Sequence, residues 1–384
     1  MIAQSATLIP PLHIFDYPVK IIIRVLPDGN MMLFPEDRNP VRALIPLSHI
    51  ELANINQQLQ DAINNLAISN EVAATWTLDE MNEALRPLAE LGYYTFLQIF
   101  QDQETQFLIQ SLPKGSCIEI VSENFVLPWQ LLYLESMEDS VSCYHFLGMK
   151  FVFSNILVGE GTRRGPSISS RIYTHPEPHI GLLGNNALAS VVEKEIPYFQ
   201  KLAKAKLISL IELRTLDPKS KNNGLKEFSD FWMHAFHIAH FACHADFSEA
   251  GPNMSEIVVS NNFSITLQDL VTRRIRINNH PLVIMNACET NTLNPLYSSH
   301  FAAWFLDNGA RGVVTTECAV SDSFAADFIQ KLYDLLLVGK NVGESLLLTR
   351  QHFWENFSNP SGLLYTMYGP PAIRLSRQDK VGEG

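Results

Sequence analysis

From residue 179 onward, two kinds of stretch alternate along the chain. Short, nearly unbroken apolar runs give way to segments in which apolar side chains recur every three or four positions. The runs predict strands covered on both faces, and the periodic segments predict helices packed against them. His179–Leu183, Lys206–Leu213, Phe236–Cys243, Pro281–Ala287, Arg311–Thr316 and Ala372–Leu375 are the predicted strands. The predicted helices are Val191–Ala203, Leu225–Met233, Leu267–Arg273, Ser298–Asn308, one capped by Ser321 and ended at Gly339, and Val342–Phe357; Glu256–Ile265 reads as a hairpin. This alternation implies an α/β fold with a mostly parallel sheet and helices on both faces.

The first part of the chain is patterned differently. Val19–Leu26 and Met31–Leu33 flank a turn at Pro27-Asp28-Gly29-Asn30, which predicts a hairpin. Ile50–Leu66 reads as a helix. A second helix starts at Thr77, with Glu80 completing a capping box, and carries Leu78, Met81, Leu85, Leu88 and Leu91 on one face. Cys117–Val121 is a strand, and Phe146–Val158 continues in β-favouring residues. Gly159–Ser170, rich in Gly and Ser and holding Arg163 and Arg164, reads as a linker, with a protease-sensitive loop as the sharper alternative. These changes divide the chain into a smaller α+β region (1–105), a segment 106–158, a linker 159–172 and a core 173–384.

In open α/β sheets, reactive groups gather at the carboxyl ends of the strands. The run Phe236–Cys243 delivers His244, and Pro281–Ala287 delivers Cys288. If the two strands are parallel neighbours, a thiol stands beside an imidazole, which is a nucleophile with its base. His244 would take the thiol proton and return it to a leaving amine. The backbone N–H groups of Cys288 and Ala245 are the candidate oxyanion donors. Glu289, Glu317 and Asp322 lie just past the ends of predicted strands or in adjoining turns, where a carboxylate would favour a Lys or Arg side chain. Asp322 equally suits the first turn of a helix. His234, His237 and His240 precede His244 at helical spacing, but their run reads as a strand, so they are assigned to packing and no metal is expected. Cys243 should point away from His244.

Composition narrows the setting. Among 384 residues, 46% are apolar, and the net charge of −12 argues against nucleic acid as a partner. Five irregularly spaced cysteines make no disulfide framework, which suits a reducing compartment. The first residues lack a signal-peptide pattern, and no apolar run reaches membrane-span length. A cytoplasmic protein without cofactor or membrane insertion is expected.

Several motifs occur in a fixed order: Leu-Pro-Trp-Gln-Leu-Leu-Tyr (127–133), His-Phe-Ala-Cys-His-Ala (240–245), Leu-Val-Ile-Met-Asn-Ala-Cys-Glu-Thr (282–290), Gly-Ala-Arg-Gly-Val-Val (309–314), Val-Ser-Asp (320–322) and Gly-Pro-Pro-Ala-Ile-Arg-Leu (369–375). As a set, from about Phe107 to Leu375, they resemble the CHAT domain, a branch of the caspase-like cysteine peptidases related to separase. The resemblance implies a caspase-like α/β/α sandwich, with 106–158 as the domain's N-terminal part. It carries the catalytic histidine onto His244 and the nucleophile onto Cys288. It implies a substrate pocket built from the segments that hold Glu289, Glu317 and Asp322, and so a Lys or Arg before the cut bond. It further implies cleavage of a specific protein substrate, such as a pore-forming or other death effector, under control of an activating partner in bacterial defence or cell death. Ala245 stands where the family commonly has Gly, Gln130 where it often has Glu, and Glu317-Cys318-Ala319 where it frequently has Trp. The alternative reading is a catalytically inactive adaptor that keeps the fold for binding.

Overall fold

The computed structural model describes residues 17–377, apart from 27–29, 36–40, 45–50, 52–53, 60, 64–76, 123–126, 138–140, 159–168, 217, 247–251, 290–294 and 318–319. β1 (Lys20–Val25), β2 (Asn30–Pro35) and β3 (Val41–Leu44) form an antiparallel meander. The helix expected over 50–66 is helical at 54–59 and 61–63, its remaining positions being partly outside the described residues. α1 (Leu78–Ala84), α2 (Arg86–Ile99) and α3 (Gln103–Gln110) precede β4 (Cys117–Ser122). The helical turn α4 (Leu147–Lys150) leads into β5 (Val152–Leu157).

Beyond the linker come β6 (Arg171–Thr174), β7 (His179–Gly184), α5 (Ile196–Lys204), β8 (Ser209–Arg214), α6 (Lys221–Phe231) and β9 (Ile238–Asp246). The hairpin β10 (Glu256–Ser260) and β11 (Phe263–Thr266) runs into α7 (Leu267–Thr272). Then follow β12 (Leu282–Glu289), α8 (Pro295–Asp307), β13 (Gly312–Thr316), α9 (Asp322–Leu337), α10 (Val342–Phe357), β14 (Tyr365–Tyr368) and β15 (Arg374–Arg377).

Thirteen of the described strands join one sheet, in the order β11-β10-β9-β12-β13-β14-β5-β4-β1-β2-β3. β7 also pairs with β9, and carries β8 at its other side. The sheet crosses the segments drawn from sequence: β1 lies parallel to β4, and β5 parallel to β14. β9 is shared along its length on one flank. Its first half pairs with β7 from Ile238 to Ala242, and its end pairs with β10 from His244 to Asp246. Asn185, 1% exposed, sits at that junction; its N–H donates to the Ala242 carbonyl (2.8 Å) and its Nδ2 to that of Val258 (3.2 Å).

Alternation along the central strands divides the core into two layers. Ile238, Ala242, Leu282, Ile284 and Val314 face one layer with Phe199 and Leu332. Ala239, Phe241, Cys243, Val283, Met285 and Val313 face the other, with Phe228 and Phe305. The α/β/α sandwich expected from the strand–helix alternation is thus the architecture observed. No helix among the described residues is long and apolar enough to cross a membrane.

Local details depart from the expectation where chain chemistry overrides the apolar pattern. The helix expected from Thr77 through Leu91 is two helices. Thr77 and Glu80 do form the capping box, but the helix ends at Leu85, with Pro87 in the first turn of the next. A proline there cannot donate to Glu83 and would clash with its carbonyl. The buried stripe of Met81, Leu85 and Leu88 continues across the break. β14 was not expected; it is antiparallel to β13 and lies within the sheet. The last strand, β15, stands outside that sheet and pairs in parallel with β6, whose first residues belong to the expected linker. Residues 159–168 of that linker lie outside the described residues.

Two buried ionisable side chains tie the segment before the linker to the one after it. Arg350, 2% exposed, donates from Nε to the Gly362 carbonyl (3.2 Å), from Nη1 to that of Gly148 (3.0 Å) and from Nη2 to that of Tyr365 (2.6 Å). Glu317, 3% exposed, accepts from Gln130 Nε2 (2.5 Å) and from the Tyr368 hydroxyl (3.4 Å). Burial pushes the Glu317 carboxyl up from 4.5 to about 7, against the opposing pull of Gln130, Tyr368 and Arg350. Burial likewise lowers Arg350 to about 10, opposed by Glu317.

The raised value has a definite consequence for stability. Between pH 4.5 and 7 the folded chain holds a proton on Glu317 that the unfolded chain has released. Its contribution is therefore complete below about pH 4.5 and is lost as pH rises through 7. In urea unfolding, the stability of the parent relative to Glu317→Gln should fall by on the order of 3 kcal/mol between about pH 4.5 and 8. A pH-independent difference would show that the carboxyl titrates normally.

Candidate active site

β9 and β12 are parallel neighbours over eight Cα partner pairs, from Ile238↔Leu282 to Ala245↔Glu289. In this register Cys288 stands directly opposite His244. The strands run further than the apolar runs suggested, to Asp246 and Glu289, so both residues lie within strands rather than beyond them. His244 is partly buried. By the two-residue period it shares the face of His240, and position 288 shares that of position 286. Cys243, 1% exposed, belongs to the opposite layer, where burial pushes its thiol well up.

The other expected site residues are spread over different environments. Ala245, 6% exposed, pairs with Ile257 of β10 on one side and Glu289 of β12 on the other. Its N–H therefore lies in the plane of the sheet, aimed at a neighbouring strand. Asp322, partly exposed, is the first residue of α9, directly after the N-cap Ser321, whose side chain accepts from the Phe324 N–H (3.3 Å). Glu317 is enclosed between Gln130 and Tyr368 as described above. For Cys288 and Glu289 the structure gives backbone register, and Cys318 lies outside the described residues.

Beneath the pair, on the face of His240, is a chain of buried polar groups. Glu195, 2% exposed, comes from a π-helical turn, Val191–Glu195, that leads into α5. Its Oε2 accepts from His240 Nε2 (2.9 Å) and its Oε1 from Asn286 Nδ2 (2.8 Å). Asn286 Oδ1 accepts in turn from the Tyr365 hydroxyl (2.6 Å). Phe199 and Tyr333 pack against the His240 ring, with centroids 5.0 and 5.6 Å away. His240 Nδ1 has no hydrogen-bond partner among the described residues. That suits an imidazole carrying its proton on Nε2, because a second N–H would be buried without an acceptor. Asn286 is two residues before Cys288 on β12, and His240 is four before His244 on β9. The chain thus crosslinks both strands to α5 and β14 just below positions 244 and 288.

Sequence reasoning assigned His240 to packing and passed over Glu195 and Asn286. Two signals were present. Val191, Glu195, Phe199 and Leu202 share one helical spacing, which puts an acid on an apolar stripe, and Asn286 interrupts an apolar strand. His234 pairs with Glu212 (3.2 Å), and His237 Nδ1 accepts from the His179 N–H (2.8 Å). Among the described residues no three His, Cys, Asp or Glu side chains gather in a metal-holding arrangement.

A protein of Vitiosangium sp. named as a probable protease is 28% identical over 160 residues, covering 38% of this chain. Two structures of the Saccharomyces cerevisiae separase–securin complex superpose on 93% of this chain, with a TM-score of 0.51 and 11–12% identity, and so share its fold. The chain spans 20% of the length of the first relative and 30% of the separase chain. The CHAT domain family model matches residues 175–362, which contain β7 through α10 and both paired positions, so over this part the chain is similar to the CHAT domain family.

Proposed function

We propose that the chain is a cysteine endopeptidase in which Cys288 is the nucleophile and His244 its base. The observation that supports this reading above all is the register of β9 on β12, in which the two positions are directly paired. A thiol is mostly protonated near neutral pH, and an adjacent imidazole can take its proton. The sulfur then attacks the scissile carbonyl, the C–N bond breaks, and His244 returns the proton to the departing amine. Water, deprotonated by the same imidazole, hydrolyses the thioester and regenerates the thiol. Metal or cofactor is not needed for any of these steps.

Stabilising the oxyanion would fall to the N–H groups of Cys288 and Ala245. Ala245 is held between two strands, so its N–H faces an oxyanion only if the end of β9 parts from a neighbour. That requirement fits a peptidase switched on by an activating protein, acting on a specific protein substrate in the cytoplasm as part of a defence or cell-death response. Glu289, at the end of β12, and Asp322, at the start of α9, would draw a basic side chain to the cut site; Glu317, enclosed and favouring its proton, does not serve as part of that pocket. The chain Glu195–His240–Asn286 would hold the two strands in register below the chemistry.

Cys288→Ala should abolish labelling by an electrophilic peptide probe and all substrate cleavage while leaving the circular dichroism spectrum unchanged; cleavage that survives would favour the adaptor reading. Digestion of a proteome-derived peptide library in host extract should give cuts after Lys or Arg; cuts after acidic or apolar residues would remove the acidic pocket. Glu195→Ala should lower kcat by about tenfold to a hundredfold with little change in KM, and Glu195→Gln should recover part of the loss. A parallel rise in KM, or no recovery, would make Glu195 a folding residue only.

A further inference from the structure

At the opposite end of the sheet, basic side chains recur strand by strand. His179 opens β7, His237 immediately precedes β9, His280 lies just before β12, and Arg311 immediately precedes β13. These four strands are consecutive neighbours, β7-β9-β12-β13. Arg171 reaches the same place from β6, and together with Tyr173 these side chains line an open cleft of about 620 Å³. Among the described residues no carboxylate lines it, although the chain holds 40 acidic residues against 28 lysines and arginines.

Among the described residues nothing lining the cleft balances the positive charge there. Arg311 donates from Nε to the His280 carbonyl (3.2 Å) and from Nη1 to the carbonyls of Ser169 and Arg171, so it shapes the wall. Among the described residues neither Arg171 nor Arg311 makes an ion pair with a carboxylate. Burial lowers the pKa of Arg311. His237 is pushed down to about 4, first by burial and then by His179 and Arg311. It is therefore neutral near pH 7, and since its Nδ1 accepts from the His179 N–H, its proton sits on Nε2. Partly desolvated guanidinium groups without a counter-charge are costly, and an oxyanion offering several acceptor atoms relieves that cost.

We propose that this cleft, built from Arg171, Arg311 and the histidines preceding the parallel strands, binds a phosphate-bearing small ligand. Its volume suits a molecule of nucleotide size. Tyr173, 53% exposed, and the His179–His237 ring pair, with centroids 4.8 Å apart, offer flat faces beside the charged wall. His237, immediately before β9, and His244, within it, are seven residues apart, roughly 23 Å along an extended strand, so the ligand sits far from the proposed chemistry.

Isothermal titration calorimetry on the full chain at low ionic strength tests this, with pyrophosphate, ATP and hexaglutamate as probes. Saturable one-site binding of pyrophosphate is expected, weakened about tenfold or more by Arg171→Gln and unchanged by Arg377→Gln, which lies outside the cleft. Tighter binding of ATP would assign a nucleotide, and equal binding the phosphate group alone. Cys288→Ala should bind as the parent does, so the outcome is independent of the peptidase reading. His280→Ala carries the same expectation should Arg171→Gln lower the thermal midpoint. Absence of saturable binding by both phosphate probes, binding indifferent to these substitutions, or binding of hexaglutamate alone would overturn the proposal.

Discussion

The pairing of β9 with β12 is the constraint on which the rest of the molecule depends. Both strands are buried on both faces, so their register is fixed by two layers of packing at once. A slip of one residue would exchange the layers and put His240 and Asn286 among the phenylalanines of the other side. Everything proposed for the chemistry rests on this, because positions 244 and 288 come from segments separated by the whole hairpin and α7. Parallel strands are joined by long crossovers, so such a meeting can only be made by the sheet.

Two sets of buried polar groups connect elements inside this core. Glu195, His240, Asn286 and Tyr365 form one chain that joins α5, β9, β12 and β14. Glu317 and Arg350 form another centre, reaching Gln130 and Gly148 on the far side of the linker. Removing one member of such a set leaves its partners buried and unsatisfied, which costs more than the bond itself contributes. The second centre thus ties the sheet together across residues 159–168, while the first ties its central strands to one another. They also separate two roles for buried carboxylates: Glu195 accepts two hydrogen bonds below the paired strands, whereas Glu317 sits where burial dominates and favours its proton.

The two ends of the parallel strands differ in character. The carboxyl end presents His244 opposite Cys288, with Glu289 and Asp322 close in sequence to it. The amino end presents a row of imidazole and guanidinium groups around an open cleft. A sheet transmits position along its strands more readily than it bends, and β9 and β12 run from one end to the other. The basic cleft and the proposed chemistry lie at opposite ends of these two strands.

Much of this was legible in the chain before folding was considered. The apolar runs at 236–243 and 281–287 located the central strands, because a strand buried on both faces must be apolar throughout. Gly309 and Ser321 marked helix ends by local backbone and capping chemistry, and both hold, Gly309 at φ +117°. Thr77 and Glu80 capped a helix as read, but the apolar stripe running past Pro87 concealed the break. What only the tertiary structure decided is which distant segments meet. Nothing local in Glu195 announces His240 as its partner, nothing in Gln130 announces Glu317, and β14 was missed because its four residues carry no pattern long enough to read. The basic row escaped for the same reason: His179, His237, His280 and Arg311 are far apart along the chain and become one surface only when parallel strands align their first residues.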